Sequence, residues 1–505
     1  MPFCVSEPGR IPPAIRMSLL LSAALLVCAI QARAQPVAKA DWSKMIRENR
    51  TNLQIQDCPE PPLLHKSPIH EKIYSALRDL KADCNRFQPW FPYPRLGVYE
   101  LEPPSDGKTH WDFTLPDELL GGFMEASDGR PVVVNLGPIP QWMVKTAKPV
   151  TYPDDPESID WNYNQGTELR DPTGREVAEY YARVANWYIR GGFTDELGVR
   201  HESGHHYRFA FWEVLNEVEG EHQFSPEVYT RIYDRVVEEV RKVDPEMRFS
   251  GPALMSPAES VSYVPYFLDA ANHKPGIAVG ALSFHFYSQP ADDEPQSGWQ
   301  FSVMQQAERA LTAARYIAAF RDRLSPKTEL HFNEIGSMLP GGQEPRLRAP
   351  IPDLHWHLSA AMHAYMFIQL ARMGVEVASS AELIDYPGQF AAITLVDWAS
   401  GKPNPRYWAL RLLHDEFHPG DRLVATTEPD GTVAAQGFLS KAGTKKLLLV
   451  NKRDRQFTVN VPGAGGGTLR VAGTAQGWSP AEESKLAGDS VVLDAFAVAV
   501  VTLPE

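Results

Sequence analysis

The chain has 505 residues, of which 43% are hydrophobic and 22% charged, and its formal net charge at pH 7 is -14. This length exceeds the size at which a single hydrophobic core stops growing, so we expect two folded domains. The negative charge argues against a nucleic-acid partner and an anionic membrane surface, since both attract basic proteins.

The first 34 residues have the pattern of a cleavable signal peptide. Arg10 and Arg16 precede an apolar run over 19–30, and Ala32 and Ala34 supply the small residues of a cleavage site. The run is too short for a permanent membrane helix, and no second long apolar run follows. We therefore predict a secreted or periplasmic protein, cleaved near Ala34, with no membrane insertion after cleavage.

Cys58 and Cys84 are the two cysteines that remain after this cleavage. An even pair in an oxidising compartment permits a disulfide. Two buried thiols fit the sequence equally well, so the pairing stays open at this point.

Between residues 52 and 414 short apolar runs alternate with amphipathic stretches. The predicted strands are Leu53–Gln56, Cys84–Gln88, Pro131–Leu136, Phe209–Asn216, Arg248–Gly251, Ala281–Tyr287, Glu329–Asn333 and Val375–Ala378. The predicted helices are Ile69–Leu80, Val177–Ile189, Pro226–Val243, Tyr263–Ala271, Met304–Arg323 and Leu354–Met373.

Regular strand–helix alternation implies a parallel sheet with right-handed crossovers. Eight such units match a (β/α)8 TIM barrel, to which we assign residues 35–414. An open doubly wound sheet is the alternative, but no glycine-rich phosphate turn follows the first strand.

Residues 415–505 have a different pattern. Short β-branched runs at 447–450, 457–461, 468–471 and 491–503 are separated by turn clusters such as the glycine-rich stretch 462–467. This pattern is typical of a small antiparallel β-sandwich. The glycine-rich stretch lacks the Lys-Ser/Thr of a phosphate loop, so we interpret it as a hairpin turn.

Two predicted strands stop abruptly on Asn-Glu, at Asn216-Glu217 and at Asn333-Glu334. An unpaired carboxylate is costly to bury, so an apolar run that ends on one usually presents it to a ligand or another group. By strand count Glu217 ends the fourth strand and Glu334 the seventh, and both would face the rim where barrel active sites lie. Two carboxylates about 5.5 Å apart are what retaining glycoside hydrolysis requires.

The run Trp212–Glu217 resembles the acid/base strand of clan A retaining glycoside hydrolases, especially family 39 with its Phe-Glu-x-Trp-Asn-Glu pattern. Further runs are similar to the clan's nucleophile strand, its sixth strand and the third-strand run of family 39: Phe332–Glu334, Ser283–Tyr287 and Asn135–Trp142. The resemblance covers about residues 50–410. Leu215 and Val218 stand where the family has Trp and Pro, which marks a divergent member.

The resemblance implies double displacement with retained configuration, without a cofactor or a metal ion. It implies that Glu217 is the acid/base and Glu334 the nucleophile. The residues implied to bind substrate or support the catalytic pair are Asn216, His285, Tyr287, Arg86, Trp142 and Trp398. Asn216 would contact the sugar 2-hydroxyl, Tyr287 and Arg86 would hold the nucleophile, and the two tryptophans would stack on sugar rings. Strand alternation places Glu213 deeper on the same face, where we predict a structural carboxylate.

Family 39 includes β-xylosidases and α-L-iduronidases, so the expected substrate is an oligosaccharide or a polysaccharide. We favour exo action on β-linked pentosides or hexosides. Endo action by the same mechanism and a non-catalytic carbohydrate-binding barrel remain open.

The stretch His201–His205 satisfies the H-E-x-x-H pattern of zinc metalloproteases. That chemistry needs both histidines on one helical face. Gly198 and Gly204, with no apolar helical period around them, predict a loop instead. A zinc metallohydrolase that uses His201 and His205 is therefore a remote alternative.

Overall fold

The computed structural model describes residues 35–163, 166–341, 351–385 and 390–504. The predicted signal peptide, residues 1–34, lies outside this part of the chain. Among the described helices, none has the length and apolar character needed to span a bilayer.

Eight parallel strands close into a barrel in chain order, which confirms the predicted fold. They are β1 (Asn52–Asp57), β2 (Cys84–Phe87), β3 (Val132–Val134), β4 (Phe211–Glu213), β5 (Phe249–Leu254), β6 (Ala281–Ser288), β7 (Glu329–Ser337) and β8 (Val377–Ser380). The last strand pairs with the first, Val377 opposite Asn52, so the sheet is not open.

Helices follow the strands and cover the barrel. The longer ones are His70–Leu80, Thr114–Ala126, Arg175–Arg190, Pro226–Val243, Trp299–Leu324, Asp353–Met373 and Pro405–Glu416, and the short ones are Pro94–Gly97, Val218–Glu221 and Tyr263–Leu268. Pro226–Val243 shows why these sequences form helices. The Ser225 hydroxyl accepts a hydrogen bond from the Val228 amide, proline occupies the first turn, and Ile232, Val236 and Val240 are buried along one face.

The C-terminal region is antiparallel, as the sequence predicts. Its strands are β9 (Arg422–Thr427), β10 (Val433–Leu439), β11 (Lys445–Asn451), β12 (Phe457–Asn460), β13 (Thr468–Ala472), β14 (Glu482–Lys485), β15 (Ser490–Leu493) and β16 (Val498–Thr502). β12 and β15 form a two-stranded sheet that packs against the larger sheet of the other six strands.

One boundary differs from the sequence-based assignment of residues 35–414 to the barrel. Residues Lys39–Glu48 form a strand that pairs antiparallel with β9 and so extends the C-terminal sheet. Most of its side chains are exposed or half-buried, with only short apolar stretches between charged residues. The sequence therefore carried no strong strand signal there.

The larger C-terminal sheet is buried on both faces. Along β11, Leu447 and Leu449 face the small sheet, whereas Leu448 and Val450 belong to the barrel's hydrophobic core. Phe438 of the neighbouring strand β10 stacks on Phe367 of the helix Asp353–Met373, with ring centroids 6.0 Å apart. The two domains thus share apolar packing.

Replacing Phe438 with alanine should lower the free energy of unfolding by about 3–5 kcal/mol, because it opens a cavity in this shared core. Phe438 has no solvent-exposed surface, whereas Phe301 is 57% exposed. A denaturant titration followed by circular dichroism measures the change, and Phe301→Ala is the control, expected within about 0.5 kcal/mol of wild type. Equal effects for the two variants would contradict the described packing.

Candidate active site

A cavity of about 570 Å³ opens at the carboxyl ends of the barrel strands. Four of the residues that line it are predicted site residues: Asn216, Glu217, Tyr287 and Glu334. Arg86 and His285 lie directly beneath them, with no exposed surface. Six of the eight predicted site residues therefore converge at one place.

The two predicted catalytic carboxylates are close together. One oxygen each of Glu217 and Glu334, and one ring nitrogen of His285, lie within 4.8 Å of one another. His285 Nδ1 is 2.8 Å from Glu217 Oε1 and 3.2 Å from Glu334 Oε2. Burial alone would lower the pKa of His285, but the two carboxylates outweigh it and the pKa is raised.

Local backbone geometry places Glu217 at the cavity. β4 ends at Glu213, and the chain then turns through Leu215 and Glu217, whose φ angles are 60° and 39°. Residues other than glycine adopt this left-handed region only at a cost, and such positions cluster at functional sites. Asn135 supports the turn, since its Nδ2 donates to the Leu215 carbonyl oxygen at 2.8 Å.

Glu334 lies on β7 beside a register shift between Phe332 and Glu334. This shift sets Glu334 opposite His285 on β6. The Tyr287 hydroxyl donates to Glu334 Oε2 at 2.6 Å. Burial and then the charge of Glu334 raise the pKa of Tyr287 well above its usual range, so Tyr287 remains a hydrogen-bond donor.

Arg86, on β2, connects the site. Its Nη1 donates to Glu334 Oε1 at 2.7 Å, its Nε to Glu213 Oε2 at 2.8 Å and its Nη2 to Asn216 Oδ1 at 3.1 Å. Burial works against a charged guanidinium, but Glu213 and Glu334 outweigh it and raise the pKa of Arg86. Arg86 therefore stays cationic beside the predicted nucleophile.

Glu213 is fully engaged below the cavity, in keeping with a structural role. Its two oxygens accept hydrogen bonds from Asn333 Nδ2 at 2.7 Å and Asn135 Nδ2 at 2.9 Å, besides those from Arg86. Burial would raise the pKa of Glu213, yet the charge of Arg86 and hydrogen bonds with Ser283 and Asn135 lower it.

Two residues that the sequence analysis missed complete the acid side of the site. Glu221 Oε1 accepts hydrogen bonds from Asn216 Nδ2 at 2.9 Å and from Trp90 Nε1 at 2.8 Å. Burial, and then the nearby Glu217, raise the pKa of Glu221 to about 8. Glu221 lies one helical turn after Glu217, and Trp90 lies three residues after the end of β2. Their closeness in sequence to predicted site residues was the signal that could have identified them.

The two tryptophans predicted to stack on sugar do not line the cavity. Trp142 Nε1 donates to the Glu100 carbonyl oxygen, and the Arg170 guanidinium covers its ring at 4.8 Å. Trp398 packs against the core. Besides Tyr287, the described aromatic residues that line the cavity are Trp90, Phe286 and Phe390.

The H-E-x-x-H segment forms no helix, so the zinc alternative is wrong. His201 lies on the strand Arg200–Glu202, which pairs with Gly192–Thr194 in a hairpin. Its Nε2 is 2.9 Å from Asp195 Oδ2, whereas His205 Nε2 is 3.2 Å from Asp117 Oδ2. The two histidines thus have separate partners.

Cys58 and Cys84 are both free and buried, which settles the pairing in favour of two thiols. Cys58 Sγ donates to Gln88 Oε1 at 2.9 Å and lies at the cavity wall.

Comparison with solved structures shows that the fold is that of clan A glycoside hydrolases. The chain is similar to a glucosidase from Croceicoccus marinus (TM-score 0.59, 16% identity, 93% of this chain and 99% of that chain covered). It is also similar to a family 51 arabinofuranosidase from Xanthomonas axonopodis pv. citri (TM-score 0.62, 14% identity, 93% of this chain and 99% of that chain covered). A third similar structure is a family 39 β-xylosidase from Caulobacter crescentus (TM-score 0.57, 17% identity, 93% of this chain and 100% of that chain covered).

Residues 430–501 match the family model of the D-apionate lactonase C-terminal immunoglobulin-like domain. This match agrees with the β-sandwich. A search of curated protein sequences found no match to the chain.

Replacing Arg86 with methionine should destabilise the protein by about 3–5 kcal/mol, because it leaves Glu213 and Glu334 buried without their cation. The double variant Arg86→Met/Glu213→Gln should recover part of the loss, since one uncompensated charge is then removed. Chemical denaturation of the two variants and wild type tests this. A loss below about 1 kcal/mol for Arg86→Met would show that Arg86 does not neutralise these carboxylates.

The raised pKa of Glu221 predicts a pH-dependent stability. The folded protein holds this proton up to about pH 8, whereas the usual pKa is 4.5. The stabilisation from this proton is therefore complete below pH 4.5 and is lost as the pH rises to 8. Glu221→Gln cannot titrate, so its stability relative to wild type should increase over that range. Unfolding free energies from pH 5 to 9 test this, and parallel profiles would contradict it.

Proposed function

We propose that this protein is a retaining glycoside hydrolase in which Glu334 is the nucleophile and Glu217 the acid/base. The observation that supports this most directly is the approach of one oxygen of each carboxylate to within 4.8 Å at the barrel rim. Retaining enzymes have carboxyl groups about 5–5.5 Å apart, whereas inverting enzymes separate them by about 6.5–9.5 Å to admit a water molecule.

In the first step a Glu334 oxygen attacks the anomeric carbon while Glu217 protonates the departing glycosidic oxygen. The C–O bond to the leaving group breaks as the bond to Glu334 forms. In the second step Glu217, now a carboxylate, removes a proton from water, and this water releases the sugar from Glu334. Two inversions at one carbon give net retention.

The surrounding residues have supporting roles in this proposal. Arg86 and Tyr287 hold the Glu334 carboxylate and stabilise its negative charge before attack. His285 contacts both catalytic carboxylates and fixes their separation. Asn216, held by Arg86 and Glu221, would offer its amide to the sugar 2-hydroxyl.

We propose a carbohydrate substrate, and exo action on β-linked pentosides or hexosides as the first class to test. The rings of Trp90, Phe286 and Phe390 at the cavity supply apolar faces for sugar rings. The signal-peptide pattern of residues 1–34 supports our proposal that the protein is secreted or exported to the periplasm, where it would meet such substrates.

A sugar lactone is the second candidate substrate, because residues 430–501 match a domain model named for D-apionate lactonase. A lactone carbonyl carbon is planar, like the anomeric carbon of an oxocarbenium-like transition state. The same carboxylates could deliver water to it. Lactonase activity would release acid from aldonolactones, which a pH indicator detects. Glycosidase activity would instead release nitrophenol from aryl glycosides.

Aryl glycosides test the acid/base role. With the aryl glycoside that wild type hydrolyses, Glu217→Ala should be about 10²–10⁴-fold slower, the usual contribution of general acid–base catalysis. Azide should restore its rate, because azide attacks the glycosyl intermediate without a base, and the product should be a glycosyl azide of retained configuration. A product of inverted configuration would instead show that Glu217 is the nucleophile.

The nucleophile is tested by covalent trapping. A 2-deoxy-2-fluoro glycoside with a good leaving group should add one glycosyl mass to the wild-type chain. The fluorine slows both steps, whereas the activated leaving group speeds only the first, so the glycosyl-enzyme accumulates. Peptide mapping should place the label on Glu334, and Glu334→Gln should remain unlabelled. Glu221→Gln is the matched carboxylate control and should still be labelled. A label on another carboxylate would overturn the assignment.

A further inference from the structure

A second group of carboxylates lies beside the proposed catalytic pair. Glu60 follows β1, and Glu382 and Asp385 follow β8, the strand that pairs with β1. One oxygen from each of these three residues lies within 4.8 Å of the others. Their exposed fractions are 0%, 4% and 1%, so the group is buried.

Several of these oxygens lack hydrogen-bond donors. Within the described part of the chain, neither oxygen of Glu60 accepts a hydrogen bond, and neither does Glu382 Oε1. The neighbouring Asp57 adds a fourth buried carboxylate, whose charge acts on both residues. A buried acceptor without a partner is costly, so each one requires an explanation.

The nearby buried guanidinium groups do not supply the missing positive charge. Arg406 donates to the carbonyl oxygens of Ile335 and Ile393 and to the Ser380 hydroxyl. Arg86 donates to Glu213, Glu334 and Asn216. In the described ranges, neither one has an ion pair with Glu60 or Glu382.

Either protonation or a bound cation can relieve this concentration of negative charge. Burial, and then the neighbouring carboxylates, raise the pKa values of Glu60 and Glu382 well above their usual range. Protonation supplies at most one hydrogen to each carboxyl group. A proton on Glu60 can be shared with Asp385, but the other Glu60 oxygen then stays buried without a donor. One cation at the centre can contact an oxygen of all three residues at once.

Depth distinguishes a metal ion from a positively charged substrate group. Glu382 and Asp385 line the cavity, whereas Glu60 has no exposed surface and does not line it. A sugar substituent in the cavity would reach the first two residues and miss Glu60. An ion small enough to lie behind the cavity wall reaches all three.

We propose that Glu60, Glu382 and Asp385 bind a divalent cation, with calcium the best match. The three side chains offer carboxylate oxygens, which calcium prefers, whereas zinc sites normally include nitrogen or sulfur ligands. The ion joins the segment after β1 to the segment after β8 and so fixes one wall of the active-site cavity. It takes no part in bond cleavage, and the proposal does not depend on the proposed function.

Calcium binding to the full chain tests the proposal directly. Protein freed of metal by EDTA and dialysis is titrated with CaCl₂ and with MgCl₂ by isothermal titration calorimetry, and its unfolding temperature is measured with each salt. We expect one calcium per chain, weaker binding of magnesium and a higher unfolding temperature with calcium. Glu60→Gln should weaken calcium binding at least tenfold and remove the temperature shift.

Three further variants make the result specific. Glu382→Gln should behave like Glu60→Gln and serves in its place if that protein does not fold. Glu100→Gln should bind calcium like wild type, since Glu100 is another buried carboxylate, 1% exposed, with a raised pKa but outside the group. Glu334→Gln should also bind normally, which separates this site from the catalytic carboxylates and His285.

Two outcomes would overturn the proposal. The first is no calcium or magnesium binding at millimolar concentrations, with Glu60→Gln more stable than wild type, because the carboxyl groups are then protonated instead. The second is binding that Glu334→Gln abolishes and Glu60→Gln leaves intact, because the ion then lies between the catalytic carboxylates.

Discussion

The buried guanidinium of Arg86 is the interaction on which the geometry of this site depends. It donates to Glu213, Glu334 and Asn216, which come from two different strands and the turn after one of them. Without this cation, the carboxylates of Glu213 and Glu334 would repel each other in the interior of the barrel. The Asn216 amide oxygen would lose a hydrogen-bond donor. With Arg86 in place, β2, β4 and β7 are joined at the level of the rim, and the two proposed catalytic residues acquire a defined separation.

The strand ends then determine where each carboxylate points. β4 leaves the sheet at Glu213, and the left-handed residues Leu215 and Glu217 turn the chain over the barrel mouth. Asn135 donates both to Glu213 and to the Leu215 carbonyl, so the buried ion pair and the strained turn share one support. The free-energy cost of the left-handed backbone is therefore offset by hydrogen bonds from Asn135. One of these bonds also holds Glu213, the ion-pair partner of Arg86.

The sequence predicted the barrel and the six residues that converge at the cavity because their signals are local. Apolar runs that stop on Asn-Glu, and the His-Phe-Tyr at the end of β6, are visible without knowledge of distant contacts. The tryptophan predictions failed for the opposite reason, since whether Trp142 or Trp90 reaches the cavity depends on loop paths that local pattern does not encode. The strand Lys39–Glu48 was missed because its pairing partner, β9, lies at the other end of the chain and its own side chains are largely polar.

The environments of the two central carboxylates differ in a way that supports the proposed roles. Glu334 contacts a permanent cation, Arg86, and a phenol, Tyr287, which both stabilise an anion in place before it attacks. Glu217 contacts His285, a group that can gain or lose a proton, and lies near Glu221, whose raised pKa keeps a proton available around neutral pH. Both side chains contact His285, but of the two only Glu334 also has the fixed positive partner Arg86, and Glu217 affects the pKa of Glu221 more strongly than Glu334 does. An acid/base must change its protonation state twice in each turnover, whereas a nucleophile must remain ionised, so this asymmetry favours Glu217 for the first role and Glu334 for the second.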